Sequence, residues 1–180
     1  MRIRYPSFIF FVVLLFQQSC ITDRSLRRQN EQKPSAFSVE SLNGNYPNYG
    51  DKDSAYDSLW RMFYGSKTTK SDFVAGPRHS VVNIYYDGST NVTATLMDGD
   101  RKMSSVTLKV KRKGDYLSFR RSLYLIPIPI LFYIHTENKM LLSMQDESLN
   151  VNYRHISRAW ILMAASADYE AHSQFKKIIK

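Results

Sequence analysis

From residue 80 to residue 165 the chain is a train of short segments in which apolar and polar residues alternate, divided at close intervals by turn-forming pairs. In Val106-Thr107-Leu108-Lys109-Val110-Lys111 the Val and Leu positions share one face and the Thr and Lys positions the other, which predicts a strand with one dry and one wet side. The same reading gives strands over 80–86, 90–97, 103–111, 116–125, 130–135, 140–145, 149–155 and 159–164. Asp87-Gly88, Asp98-Gly99 and Lys113-Gly114 stand between the earlier ones, and such pairs signal hairpins because glycine tolerates the positive φ of a tight turn. Later breaks fall at Glu137-Asn138, Asp146-Glu147-Ser148 and Ser157-Arg158. Pro127 and Pro129 cannot donate to a ladder, so the segment around them must bend, lie at an edge, or turn those positions away from a neighbour.

Upstream, 37–42 alternates and predicts a first strand, and 43–50 reads as a turn. Tyr56, Leu59, Trp60 and Phe63 recur at helical spacing within 53–63, with Asp53 placed to cap a short helix. Residues 65–78, with Gly65, Gly76 and Pro77, read as a loop. The last stretch, 166–180, scatters Tyr169, Phe175, Ile178 and Ile179 among charges and is expected to be a helical tail. One strand followed by eight, with short connections, favours antiparallel neighbours. Long open edges invite aggregation, so the expected fold is mainly β: an antiparallel up-and-down β-barrel of eight or nine strands over 37–165.

The first twenty residues follow a different logic. Arg2 and Arg4 precede the run Phe8-Ile9-Phe10-Phe11-Val12-Val13-Leu14-Leu15-Phe16, and Gln17-Gln18-Ser19-Cys20 ends it. A charged start, a short apolar stretch and a small residue at its end fit an export signal better than a membrane span of ~20 residues. The one Cys of the protein stands where the signal stops. The segment resembles a bacterial lipoprotein signal, which implies removal of 1–19 and acylation of Cys20 with palmitate-type chains. An ordinary export signal with an incidental Cys is the alternative. Ile21 rather than Asp after the Cys implies, by the same resemblance, the outer membrane of a bacterial cell envelope. Residues 20–36, rich in Arg, Asn, Gln, Lys and Ser, read as the lipidated Cys and a flexible linker whose basic residues would lie near anionic headgroups.

The strand, the turn Asn43-Gly44-Asn45-Tyr46, the helical stretch and the eight-strand meander together resemble a lipocalin-type barrel, in which a Gly-x-Tyr or Gly-x-Trp segment closes one end. That resemblance implies a cup for a small apolar or lipid-like ligand and assigns no catalytic residue.

Composition narrows the chemistry further. The 180 residues include 12 Tyr, 10 Phe and 2 Trp, too much apolar material for a disordered chain. One Cys excludes a disulfide framework and any multi-Cys zinc site. The formal charge is +9, and loss of 1–19 removes two Arg and no acid, leaving +7. Arg101, Lys102, Lys109, Lys111, Arg112, Lys113, Arg120 and Arg121 crowd two adjacent strands, either as a patch for phospholipid or another polyanion or as an ordinary wet face. Nucleic acid is an unsuitable partner for an exported protein without a stacking motif.

No nucleophile elbow, phosphate-cradling glycine loop or His-Glu-x-x-His helix occurs, so no catalytic residue, cofactor or metal is expected. His135 and His155 with Glu137 could meet only if folding gathered them, and four scattered His are more simply strand residues. The acid pairs Asp98/Asp100 and Asp146/Glu147 fall in turns, where carboxylates serve local hydrogen bonds. Asn91-Val92-Thr93 is a glycosylation sequon, meaningful only in a eukaryotic host. The aromatic set includes Phe63, Tyr85, Phe119, Tyr124, Tyr133 and Trp160, and from it Trp60, Tyr86, Phe132 and Tyr153 are the candidate ligand-lining residues. A barrel of about eight strands is only just wide enough for its own side chains, so the same aromatics could instead fill it. A filled barrel would act through its outside, as a non-enzymatic module with an envelope protein partner.

Overall fold

Tight turns fix how the strands pair in the computed structural model, which describes residues 23–28, 34–50, 58–67, 76–119, 122–128, 132–161 and 165–179. For residues 25, 66–67, 122–128, 132–135, 158–161 and 165–167 the description covers the backbone alone. The strands are β1 (Gly44–Pro47), β2 (Val81–Tyr86), β3 (Asn91–Asp98), β4 (Arg101–Lys113), β5 (Tyr116–Phe119), β6 (Ser122–Ile128), β7 (Phe132–Gln145), β8 (Ser148–Ile161) and β9 (Ala165–Lys176). Short helices α1 (Asp23–Arg27), α2 (Val39–Leu42) and α3 (Leu59–Lys67) accompany them. Gly88, Gly99 and Gly114 take φ of 80°, 57° and 64° at three hairpin turns, and Asp146 takes 53° at a fourth. In the first of these loops one carboxylate oxygen of Asp87 accepts the N–H groups of Ser89, Thr90 and Asn91 at 2.8, 3.1 and 3.1 Å. Those bonds, the one from Ser89 foremost, hold its pKa well below the ordinary carboxylate range.

The strands form one antiparallel sheet in the order β1-β2-β3-β4-β5-β7-β8-β9, and off this path β6 pairs with β7. β5 pairs with Leu141, Leu142 and Ser143, and β6 with the stretch from Phe132 to Asn138. The two therefore lie end to end along the same strand, and nine strands occupy eight positions across a curled half-barrel. Of the three outcomes open to the proline segment, β6 fits the edge: among the described residues it pairs with β7 only, with Pro127 opposite Tyr133, and Pro129 lies outside them.

Several boundaries differ from those the pattern suggests. The first strand expected at 37–42 is instead α2, because Ser38 and Ser41 form a reciprocal cap. The Ser38 hydroxyl accepts the Ser41 N–H at 3.0 Å, and the Ser41 hydroxyl accepts the Ser38 N–H at 3.2 Å. Of the helix expected over 53–63, residues 53–57 lie outside the described residues. The helix seen, α3, runs into the segment read as a loop. The breaks expected at Glu137-Asn138 and Ser157-Arg158 are absent, so 132–135, from the strand expected at 130–135, joins 140–145 in β7, and 159–161, from that expected at 159–164, joins 149–155 in β8; 130–131 and 162–164 lie outside the described residues. The C-terminal helical tail is corrected to β9, which pairs with β8 from Ala165 to Lys176. Its side chains have the period of a strand: Ala171, Ser173 and Phe175 are buried, and Glu170, His172, Gln174 and Lys176 are exposed.

Beyond β9 the chain returns to β1. An antiparallel bridge joins Asn45 and Ile178, whose N–H reaches the Asn45 carbonyl at 2.8 Å. Lys177 donates to the carbonyls of Glu40 and Ser41 at 3.0 and 3.1 Å, satisfying the last turn of α2. A Cβ at Gly44 would lie 2.4 Å from Cε of that lysine, so a side chain there would displace the lysine from its carbonyls. Two residues on, Tyr46 is fully buried and donates to the Leu42 carbonyl at 2.8 Å, and burial raises its phenol pKa. Replacing Tyr46 by Phe is expected to cost about 1 kcal/mol, by leaving the Leu42 carbonyl without its partner. Urea unfolding checks this, and an unchanged midpoint would contradict it.

Candidate functional site

The inner face of the sheet is covered by α3. Leu59, Trp60, Met62 and Phe63 are all buried, packed into one cluster with Ile84, Leu96, Val106, Leu117, Met140 and Val151 from six strands. Phe63 meets Phe119 edge to face at 5.8 Å and 84°. The helix begins where Asn48 holds it: the Asn48 carbonyl accepts the Leu59 N–H at 2.7 Å and its side-chain oxygen accepts the Trp60 N–H at 2.9 Å. The Ser58 hydroxyl takes the Arg61 N–H at 3.1 Å.

Toward the other end of α3, a polar group in mid-sheet meets the helix backbone. Asn138 donates to the Gly65 carbonyl at 2.7 Å. Its amide oxygen accepts the Tyr153 hydroxyl at 3.2 Å and lies in hydrogen-bond contact with Nδ1 of His155. A Cβ on Gly65 would come within 3.0 Å of the Tyr153 oxygen, so helix and strand approach closely here. Burial pushes the Tyr153 phenol up to about 12, against the opposing charge of Arg61. Burial also lowers the His155 pKa, with Arg61 adding to the effect and Asp168 opposing it. The cluster is a satisfied polar network that fastens α3 to the sheet, and it explains why Asn138 tolerates a place inside β7.

The outer face carries a second assembly. Asp23 of α1 pairs with Lys139 at 3.0 Å and with Lys113, and it accepts the Ser118 hydroxyl at 2.8 Å. Burial alone would raise its pKa, but the hydrogen bonds from Lys113, Ser118 and Lys139 and the Lys139 charge outweigh that and bring it to about 2. Leu26 is completely buried with Leu141 and Ile156, and Tyr116 packs against them. Arg27 donates to the Lys113 carbonyl at 3.2 Å and holds its guanidinium 4.5 Å over the Tyr116 ring. Residues 23–28, inside the stretch whose composition reads as linker, thus dock on the sheet.

Trp60, Tyr86 and Tyr153 belong to one core, at 2%, 2% and 7% exposure. Tyr86 lies 6.0 Å from Phe37, and its hydroxyl donates to the Ser89 carbonyl at 3.2 Å. Phe132 is at the start of β7, opposite Ile128 and Ile161. It stands eight residues from Met140, the partner of Tyr153, or about 26 Å along the strand. The structure therefore groups three of the four aromatics and sets Phe132 apart. Cys20 lies outside the described residues.

His155 shares a face with its partner Asn138, whereas Glu137, the next residue of the strand, belongs to the opposite face, so those two could not ligate one ion. Among the described residues no three His, Cys, Asp or Glu converge as a metal site needs, and no helix is long and apolar enough to cross a membrane. Of the acids read as turn residues, Asp98 pairs with His79 at 2.8 Å. Compared with protein-family models, with curated proteins and with solved structures, the chain has no match in any of the three.

The lowered His155 pKa gives a pH dependence. The unfolded chain takes up a proton near the ordinary value of about 6.5, while the folded chain resists it. The stability present above that value is therefore lost as pH falls through it toward the folded pKa. His155→Gln is expected to flatten the fall in unfolding free energy between about pH 7 and pH 5. An unaltered slope in that variant would count against the network.

Proposed function

We propose that the protein is a lipid-anchored component of a bacterial cell envelope, held in the outer membrane by an acylated Cys20, and that its β-domain is a non-enzymatic interaction module. The observation that supports the module reading is the occupied inner face: α3 lays Trp60, Met62 and Phe63 against the residues that a cup-shaped carrier would leave for its ligand. What then remains for a partner is the outside of the sheet. The closed barrel belongs to the same reading, with the Asn45–Ile178 bridge and the Lys177 bonds supporting closure between β1 and the C-terminal segment.

The carrier reading implied by the lipocalin-type resemblance requires a small apolar ligand to lodge among Trp60, Tyr86 and Tyr153. Such a ligand would have to displace α3 or share its space, breaking the Asn138–Gly65 bond. That contact gives the carrier reading a cost of its own, because Asn138 and the Gly65 carbonyl would both need new partners.

Mass spectrometry of the protein extracted from cell envelopes tests both parts. Its intact mass is expected to begin at Cys20 with fatty-acyl chains attached, and Cys20→Ala is expected to abolish fatty-acid labelling. Under native conditions no further lipid should accompany the folded domain. Unchanged labelling of the variant would overturn the anchor, and a stoichiometric co-purifying apolar molecule would favour the carrier.

A further inference from the structure

We propose that the outer face of the sheet beside α1, with the exposed lysines of β4, is the surface that rests on the bilayer and meets its anionic lipid headgroups. The proposal builds on the anchor reading above and adds to it how the domain is turned.

Chain length is the first support. Asp23 follows Cys20 by three positions, so a fully extended link spans at most about 10 Å. The far end of that link is fixed. Asp23 is tied to Lys113, Ser118 and Lys139, and Leu26 is sunk between β7 and β8 at Leu141 and Ile156. An acylated Cys20 therefore has no long spacer to pay out, and the face that carries α1 is kept within headgroup distance of the bilayer.

Charge is the second. The buried positions Val106, Leu108 and Val110 point β4 inward, which leaves Lys109, Lys111 and Lys113 on the outer side, all exposed. Lys109 stands opposite Asn91 and Lys111 opposite Ser118, and neither of these ladder partners is an acid. Arg24 and Arg28 add exposed cations on and just after α1. Of the acids of this side, Asp23 is engaged by two lysines, Asp168 and Glu170 by Arg154 at 2.6 and 2.8 Å, and Glu137 is fully buried and adds to the field on Arg154. Asp115, in the turn after β4, is the acid nearest in sequence. A field of cations at the root of a short lipid tether is complementary to an anionic membrane surface.

The test uses the native acylated protein in vesicles and follows how fast a water-soluble amine reagent modifies each lysine, read by peptide mass spectrometry. In vesicles containing phosphatidylglycerol, Lys109 and Lys111 are expected to react at least about fivefold more slowly than in detergent solution, the factor that one cation at an anionic surface is worth. Lys102, exposed near the other end of β4 and about 23 Å along the strand from Lys109, should keep its rate. In phosphatidylcholine vesicles the protection should largely disappear. Equal rates for Lys109 and Lys111 in anionic vesicles and in detergent would overturn the orientation. Equal protection in both kinds of vesicle would overturn recognition of anionic headgroups. Protein that carries no acyl group and does not stay with the vesicles would instead refute the anchor, which the intact mass reports separately.

Discussion

The structure depends on one fit: a nine-residue helix seated inside a curled antiparallel sheet. The sheet's inward positions are apolar along six strands, and a half-barrel that left them wet would be unstable. α3 covers them with Trp60, Met62 and Phe63, and the Asn138 side chain fixes the helix by its Gly65 carbonyl. Packing supplies the driving force there, and the hydrogen bond supplies the position. A polar residue buried without partners would weaken this interface, but Asn138 has Gly65, Tyr153 and His155 around it.

The two faces of the sheet consequently do different work. Inside, the chain satisfies itself. Outside, α1 brings the sequence that follows Cys20 onto the junction of β4, β5, β7 and β8, where Asp23 links strands that are not neighbours in sequence. Were Cys20 acylated as proposed, a segment docked in this way would set the attitude of the domain at the membrane. The proposed membrane surface and the occupied inner face belong to one account, in which the protein meets its surroundings through the outside of the sheet.

Much of this architecture could be read in the chain. Turn chemistry was the firmest guide, because Asp-Gly and Lys-Gly pairs impose backbone geometry locally, and the hairpins at Gly88, Gly99 and Gly114 fall at those pairs. The missing proline donors narrowed their segment to a bend, an edge or positions turned from a neighbour, without choosing among them. Burial of Trp60, Tyr86 and Tyr153 was legible from residue type, and a short helix through Trp60 and Phe63 from their spacing, but where that helix sits was not, since its seat is made by residues distant in sequence. Glu137-Asn138 reads as a turn only while its polarity is judged alone. The alternation through Ile134, Thr136, Asn138, Met140 and Leu142 was the better signal of one long strand. Ser38 and Ser41 turned an alternating stretch into a helix through local caps, and β9 was missed because its small inward residues, Ala171 and Ser173, look unremarkable among charges. The docking of α1 had a faint trace in Asp23-Arg24-Ser25-Leu26-Arg27, an acid-first, base-last helix with one apolar residue to bury.

The most direct measurement of the central claim is a double-mutant cycle between Phe63 on α3 and Phe119 on β5, using Phe→Leu changes and unfolding free energies. Two rings that meet edge to face at 5.8 Å should show a coupling of about 0.5–1.5 kcal/mol. Additive effects, with coupling near zero, would mean that the helix is not seated in the sheet and would contradict the account.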